Sequence, residues 1–508
     1  MVHCFQRSGW RTPVSFALFC AGLLGAIAIP TTPAQAVPVT QCNEAGLRAA
    51  IANTPDGGTI TFNCPANSTI PLSNELQLNK ALKFDGANSR NLSLDGRDRT
   101  RIFRTTKNLT LENLTLTNGR VSNRQNNMSC EGGAVHITFG TLTVDNVTFE
   151  NNSGVRGGAV CGNYKATLNL KNSTFRGNTA AQGGAILTNT SDLRLTGSTL
   201  VDNRTRRGNG LDGSGGALYT YSTLNKRNPI LIQDSRFAGN QAEHEGGAAF
   251  LSQGNGVNVM VRNSTFINNE ALLNPSTGIG SGGAIRFAHA GGRSAASLTN
   301  VVFANNGADQ EGGAVWAGGR NANLNLNLDR VTFVGNAAGR VPDPRKNETA
   351  GGAMVLSTGL NSRVVINATT FSQNTAGNET SGAIYVASDF DGGNVRHRNV
   401  IVRNSIFDRN CSQKDIAGTP TVENCTHLVH VRTMQRSRNN QFTAAPLGGD
   451  ASVYEWAANV HAPSGTRYPI TAQSRVQDVK VRPYRDTGDA APDHPCSDVN
   501  AGSGGRCR

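Results

Sequence analysis

Aromatic residues make up only 6% of this sequence and charged residues only 16%, while glycine is abundant at 58 positions alongside many Asn and Thr. That shortage excludes a fold dominated by long helices and favours short strands joined by turns. Long apolar runs are also scarce. The one conspicuous run, Val14 to Ile29, follows Arg7 and Arg11 and precedes Ala34-Gln35-Ala36. This is the three-part layout of a secretory signal over residues 1–36, with cleavage expected after Ala36. The run is shorter than the about 20 apolar residues a membrane-spanning helix needs. A soluble, exported mature chain is expected, extracellular or at the cell surface, with outer-membrane association open.

Metal-ligand spacing is missing as well. No C-x₂-C pair occurs and the nine His are scattered, so no zinc site, no other metal and no cofactor is expected. Cys4 and Cys20 leave with the signal. Eight cysteines remain: Cys42, Cys64, Cys130, Cys161, Cys411, Cys425, Cys496 and Cys507. An even number in an exported chain implies disulfides, and the simplest connectivity pairs neighbours: 42 with 64, 130 with 161, 411 with 425, 496 with 507. The formal charge of +13 falls to +11 without the two signal arginines. A basic exported protein can meet acidic glycans or acidic cell surfaces, or simply remain soluble. The dispersed Lys and Arg and the lack of a DNA- or RNA-binding motif point away from nucleic acid.

What the sequence does have is a repeat. Phe149, Phe175, Phe237, Phe266, Phe303, Phe333, Phe371 and Phe407, with Leu200 in the same place in one unit, are each followed three residues later by Asn, from Asn152 to Asn410. Between them lie GGA triplets ending at Ala134, Ala159, Ala185, Ala217, Ala248, Ala284, Ala314 and Ala353, and the variant Ser381-Gly382-Ala383. Their spacing of 25 to 39 residues describes a constant core unit with variable loops, the mark of a solenoid. Segments such as Thr167 to Phe175 alternate with period two, as half-buried strands do.

So short a unit cannot bury its apolar face alone. Coiling lets each strand pair with its copy one turn on, about 4.8 Å away. The expected fold is all-β: a right-handed parallel β-helix of the pectin-lyase-like type. Phe fills an interior stack, Asn bonds along the axis at a bend, and Gly-Gly supplies positive φ at a corner. Residues 37–58 contain a short capping helix, Asn43 to Asn53, with Asn43 as N-cap. The solenoid is expected over 59–418, and 419–508 as a C-terminal cap or irregular tail. A monomer is expected.

GGA followed by an aliphatic residue, together with F-x-x-N, resembles the repeat pair of the chlamydial polymorphic outer-membrane proteins, which are autotransporter adhesins. The resemblance covers residues 130 to 410 and implies a β-helix passenger with a surface-binding role. Residues 41–119 are similar to the opening of secreted bacterial β-helix repeat proteins. Autotransporters end in a membrane β-barrel, for which the tail CSDVNAGSGGRCR leaves no room.

The same fold also serves pectate lyases and other polysaccharide enzymes. Those need an Arg or Lys base with calcium, or paired carboxylates. Arg340-Val-Pro-Asp-Pro-Arg345 has the RxPxxR spacing seen around the catalytic arginine of pectate lyases, but it sits in a long insertion and reads as a solvated basic loop. Gly208 to Gly216 reads as a flexible glycine-rich loop rather than a calcium turn. No catalytic residue is assigned.

A binding role draws on a different column. The residues two places after each GGA alanine are His136, Cys161, Leu187, Tyr219, Phe250, Arg286, Trp316, Val355 and Tyr385. Tyr219, Phe250, Arg286, Trp316 and Tyr385 are the candidate recognition strip, unless long loops fold over them. The function expected is non-enzymatic adhesion or binding to a polysaccharide or cell-surface protein; the alternative is a lyase or glycoside hydrolase acting on acidic polysaccharide.

Overall fold

In the computed structural model, the described residues are 36–412, apart from short internal segments (122–129, 190, 209, 222–228, 254–256, 290–293, 319–323, 342–350, 358–361, 378–380, 388–399 and 409), together with three short strands beyond. Residues 1–35, which hold nearly all of the expected secretory signal, lie outside the described residues.

Every strand pairing between named strands is parallel and in coil-to-coil register, which makes the molecule a parallel β-helix. Three sheets run along it, of 22, 12 and 8 strands. One coil shows how the sequence makes them. Thr167–Lys171 and Thr174–Arg176 belong to the largest sheet, here called the Phe sheet. Asn172, at φ 47°, bends the chain between them, a left-handed conformation that Asn tolerates better than most residues. Thr179–Ala180 adds to the short sheet, and Ile186–Asn189, after GGA, adds to the 12-stranded GGA sheet.

The repeated Phe pair residue for residue and stack face to face. Phe303 and Phe333 lie 4.9 Å apart, Phe333 and Phe371 4.9 Å, and Phe371 and Phe407 5.0 Å. Leu200 occupies the same register position between Phe175 and Phe237. The Asn form a continuous ladder: Asn178 Nδ2 donates to Asn203 Oδ1 at 2.9 Å and to the Phe149 carbonyl at 3.0 Å. The backbone N–H of Asn178 donates to that same Asn203 oxygen. Each buried amide thus meets its own bonding needs and those of the turn beneath it.

The two glycines of GGA differ in cause, which corrects the expectation that both supply positive φ. The first does, as at Gly183 (φ 61°) and Gly246 (φ 68°). The second is required by the neighbouring coil: a Cβ on Gly247 would sit 2.0 Å from the Gly283 carbonyl oxygen.

The helix Glu44–Asn53 caps the N-terminal end, with Asn43 Oδ1 accepting from Gly46 N–H at 2.9 Å and Leu47 and Ala50 buried against the first coils. Disulfides join Cys42 to Cys64 and Cys130 to Cys161. Cys411 is also disulfide-bonded; Cys425, Cys496 and Cys507 lie outside the described residues. The strand ladder continues past residue 418 in Leu428–Val429, Asn440–Phe442 and Ser474–Val476. Among the described residues no helix is long and apolar enough to cross a membrane.

Candidate binding face

The strand after each GGA sets one residue inward and the next outward. Register places His136, Cys161, Leu187, Tyr219, Phe250, Arg286, Trp316, Val355 and Tyr385 in one column on the outer face of the GGA sheet. The exposure expected of that column is largely absent. Tyr219 and Phe250 are 7% and 8% exposed, stacked 4.7 Å apart, and Leu187 and Val355 are buried. Cys130, Cys161, Leu187, Tyr219 and Phe250 form a closed apolar cluster. Arg286, Trp316 and Tyr385 keep partial exposure.

Part of the cover is a second column that the sequence reading passed over, the residue just before seven of the eight GGA triplets: Glu131, Arg156, Gln182, Ser214, Glu245, Ser281 and Glu311. The three glutamates meet the first column. Glu245 pairs with Arg286 at 2.6 Å, Glu311 accepts from Trp316 Nε1 at 2.8 Å, and the Arg286 guanidinium lies 3.4 Å from the Trp316 ring centroid. Glu131 lies 3.6 Å from His136 Nδ1. The signal was available: a polar or charged residue at one fixed offset from each of these glycine pairs.

Burial lowers the pKa of Arg286, against the opposing pull of Glu245. At the N-terminal end, Arg101 is paired with Glu75 and Glu131 and donates from Nε to the Gly132 carbonyl. Burial depresses Arg101 too. For Glu131, burial works to raise the carboxyl, but His136 and Arg101 outweigh it and hold it below the usual range.

Between these clusters sits a group resembling a nucleophilic relay only in composition. Ser214 Oγ is 3.0 Å from His244 Nδ1, and Asp212 Oδ2 is 3.8 Å from that same nitrogen. A relay needs serine and carboxylate on opposite ring nitrogens; here both address Nδ1, and Nε2 is buried without a partner. Asp212 and Ser214 come from the stretch expected to be a flexible loop. It is instead anchored, with Ser214 fully buried and the Gly213 carbonyl accepting from Thr205 Oγ1 at 2.5 Å.

Arg156 stands apart from the other partly buried arginines on this face. It lies in electrostatic reach of Tyr219, Tyr221 and Asp212, and burial lowers its pKa. Its Nε is buried with no hydrogen-bond partner. Among the described residues no carboxylate comes within ion-pair distance of it. Burial, reinforced by Asp212, pushes the Tyr219 hydroxyl well up from its ordinary value, so Tyr219 remains a proton donor. Tyr221, 42% exposed, brings an accessible hydroxyl to the same place.

The RxPxxR spacing leads elsewhere. Arg340 is not a solvated basic side chain: it pairs with Glu270 at 2.8 Å and with Asp309 at 2.9 Å, fastening its loop to the short-sheet side. Residues 342–345 of that motif lie outside the described residues. Among the described residues, no three His, Cys, Asp or Glu side chains converge as a metal site would require.

Comparison with known proteins adds the following. The repeat family described as Chlamydia polymorphic membrane protein (Chlamydia_PMP) repeat matches residues 172–189, one Phe-to-GGA segment. No curated protein matches the chain. Among solved structures, the PL6 family alginate lyase AlyGC aligns at TM-score 0.48 and 12% identity over 90% of this chain and 55% of that one. A point mutant of that enzyme aligns at 0.47 and 12% over 89% and 54%. A mannuronic acid specific polysaccharide family 6 lyase from human gut microbiota aligns at 0.43 and 12% over 85% and 91%. The chain spans about half the length of the first two. It is a parallel β-helix repeat protein with a stretch similar to the chlamydial membrane-protein repeat.

Proposed function

We propose that this protein is an exported, non-enzymatic β-helix that binds acidic polysaccharide, or an acidic surface of similar chemistry, on the outer face of the GGA sheet, with Arg156 as the anion-binding group. The observation that carries this reading is that Arg156 Nε is buried without a hydrogen-bond partner and that, among the described residues, no carboxylate lies within ion-pair distance of the guanidinium. A guanidinium taken partly out of water with no direct carboxylate contact is costly, and its fork of donors suits a carboxylate. Arg101, Arg286 and Arg340 all have carboxylate partners in the chain. Arg156 is, among these described and partly buried arginines, the one whose partner a ligand would supply.

Three further features support the reading. Tyr221 beside it combines contact area with a hydroxyl, as sugar-binding side chains do, and Trp316 with Arg286 extends the strip. The formal net charge, +13 for the full sequence and +11 without the two signal arginines, favours approach of polyanions. Disulfides, and the short match to a membrane-protein repeat, accord with export to the cell surface.

Catalysis is the weaker reading on this face. Elimination from a uronate needs a base, and Tyr219 is held protonated while the Ser214–His244–Asp212 geometry is not a relay. The test is retention of the mature protein on alginate and polygalacturonate, with ultraviolet detection of unsaturated products. Retention without product, lost in Arg156→Ala, is expected; product release would establish a lyase instead.

A further inference from the structure

Four large apolar side chains stand exposed among the described residues, and three of them gather at one place in the fold. Phe139, Tyr164 and Tyr221, at 63%, 57% and 42% exposure, all lie at the C-terminal end of a GGA-sheet strand. Phe139 follows strand Val135–Thr138, Tyr164 follows Val160–Asn163, and Tyr221 ends Leu218–Tyr221. Register sets Thr138 beside Asn163, Asn163 beside Asn189, and Asn189 beside Tyr221, so the three rings sit on the first, second and fourth of consecutive coils. At about 4.8 Å per coil the row is about 14 Å long. The Phe139 and Tyr164 rings stack with their centroids 6.0 Å apart.

The backbone works against these side chains. Ala166 N–H donates to the Asn163 carbonyl at 3.2 Å, closing a turn whose central residues, Tyr164 and Lys165, stand at φ 43° and 64°. Turns with both central residues left-handed select Asn and Gly, and a bulky side chain is strained there. Phe139 stands at φ 68°. Its neighbour Gly140 lies so close to the preceding coil that a Cβ would come within 2.5 Å of the Lys107 carbonyl oxygen, which fixes this turn as well. Folding alone would favour small polar residues at 139 and 164. Large rings held both in a strained backbone and in water mark a surface used for binding.

The neighbours indicate what binds. Of residues 106–108, 139–140 and 164–166, the charged ones are Lys107 and Lys165, both exposed. In the row that ends at Tyr221, Asn189 Nδ2 donates to Asn163 Oδ1 at 2.9 Å. Rings alternating with amides and bordered by cations suit a chain of acidic sugars, whose ring faces are apolar and whose edges carry hydroxyls and carboxylates. A lipid surface would favour apolar residues in place of the amides.

We propose that Phe139, Tyr164 and Tyr221 form an aromatic rail that takes consecutive rings of an acidic polysaccharide along the solenoid axis, with Lys107 and Lys165 meeting its carboxylates. The rail rests on the polysaccharide reading above and extends it: Tyr221 lies in electrostatic reach of Arg156, so a chain on the rail leads to that guanidinium.

Glycine relieves a positive φ, so the full-length double variant Phe139→Gly/Tyr164→Gly removes the rings without burdening the fold. Tyr164→Asn, equally tolerant of that conformation, is the second variant. Calorimetry with oligomers of mannuronate and of galacturonate compares wild type, both variants and Arg156→Ala, and thermal unfolding is followed for each. The double variant should unfold at or near the wild-type temperature yet bind about tenfold more weakly or worse, and Tyr164→Asn should bind more weakly than wild type. Wild-type affinity in the double variant, with Arg156→Ala weakened, would overturn the rail and leave the polysaccharide reading standing. Loss in the double variant with Arg156→Ala unaffected would uphold the rail and remove Arg156 from that reading. Failure of wild type to bind either oligomer would overturn both. A markedly lower unfolding temperature in both variants, or attachment of wild type to phosphatidylglycerol vesicles in place of sugar, would overturn the rail.

Discussion

Single residues in this fold are fixed by the coil above as much as by their own neighbours, and glycine shows it best. Gly247→Ala would drive a Cβ to 2.0 Å from the Gly283 carbonyl oxygen, whereas a Cβ on Gly208 meets nothing within 4 Å. Gly247→Ala should cost about 3 kcal/mol or more and Gly208→Ala less than about 0.5 kcal/mol, read as shifts in the urea midpoint. A second residue-scale effect concerns acid. Burial would raise the Glu44 carboxyl, but hydrogen bonds from the Ser73 hydroxyl and N–H, and from Arg48, bring it from an ordinary 4.5 to about 2. A depressed folded-state pKa gives stability that is present above the unfolded value and lost as pH falls through the folded one. Wild type should therefore lose thermal stability between pH 4.5 and 2, and Glu44→Gln should lose less over the same interval.

At the scale of the element, the Asn ladder and the Phe stack tie consecutive coils. Asn240 Oδ1 accepts from the backbone N–H and Nδ2 of Asn203, and its own Nδ2 donates to Asn269 and to the Leu200 carbonyl. Asn240→Leu leaves several buried polar groups unpaired and should destabilise by about 3 kcal/mol or more. Hydrogen exchange should show the loss centred on the coils of Asn203, Asn240 and Asn269 and fading outward, because a solenoid couples nearest neighbours. These elements were legible in the sequence because each has a fixed offset: Phe to Asn is three residues, and GGA to the outward column is two. The same arithmetic found the Tyr219 to Trp316 column. It could not find its burial, because the cover comes partly from Glu245, Glu311 and Arg156, which precede the glycines and were not aligned. Nor did it separate the two glycines of each pair, since the second is constrained by a coil about thirty residues away in sequence.

For the whole molecule, the solenoid presents a face that is ionic at Arg101, apolar at Tyr219 and Phe250, and cationic-aromatic at Arg286 and Trp316. Binding of a polyanion to it should weaken with salt, as the field of a strongly basic chain is screened. The contribution of Arg156 should persist better, because its guanidinium is partly buried. Fold class and repeat register were readable from the chain, whereas the buried, unbonded Nε of Arg156 was not: no local pattern says which of many arginines has no carboxylate in contact among the described residues. The most direct measurement is calorimetric titration of wild type and Arg156→Ala with an oligomer of mannuronate or galacturonate, the mixture being assayed afterwards for unsaturated product. The account predicts binding that is weaker in the variant by about 1.5 to 3 kcal/mol, unchanged thermal stability, and no product from either protein. Equal affinity in the two proteins, or product from wild type alone, would contradict it.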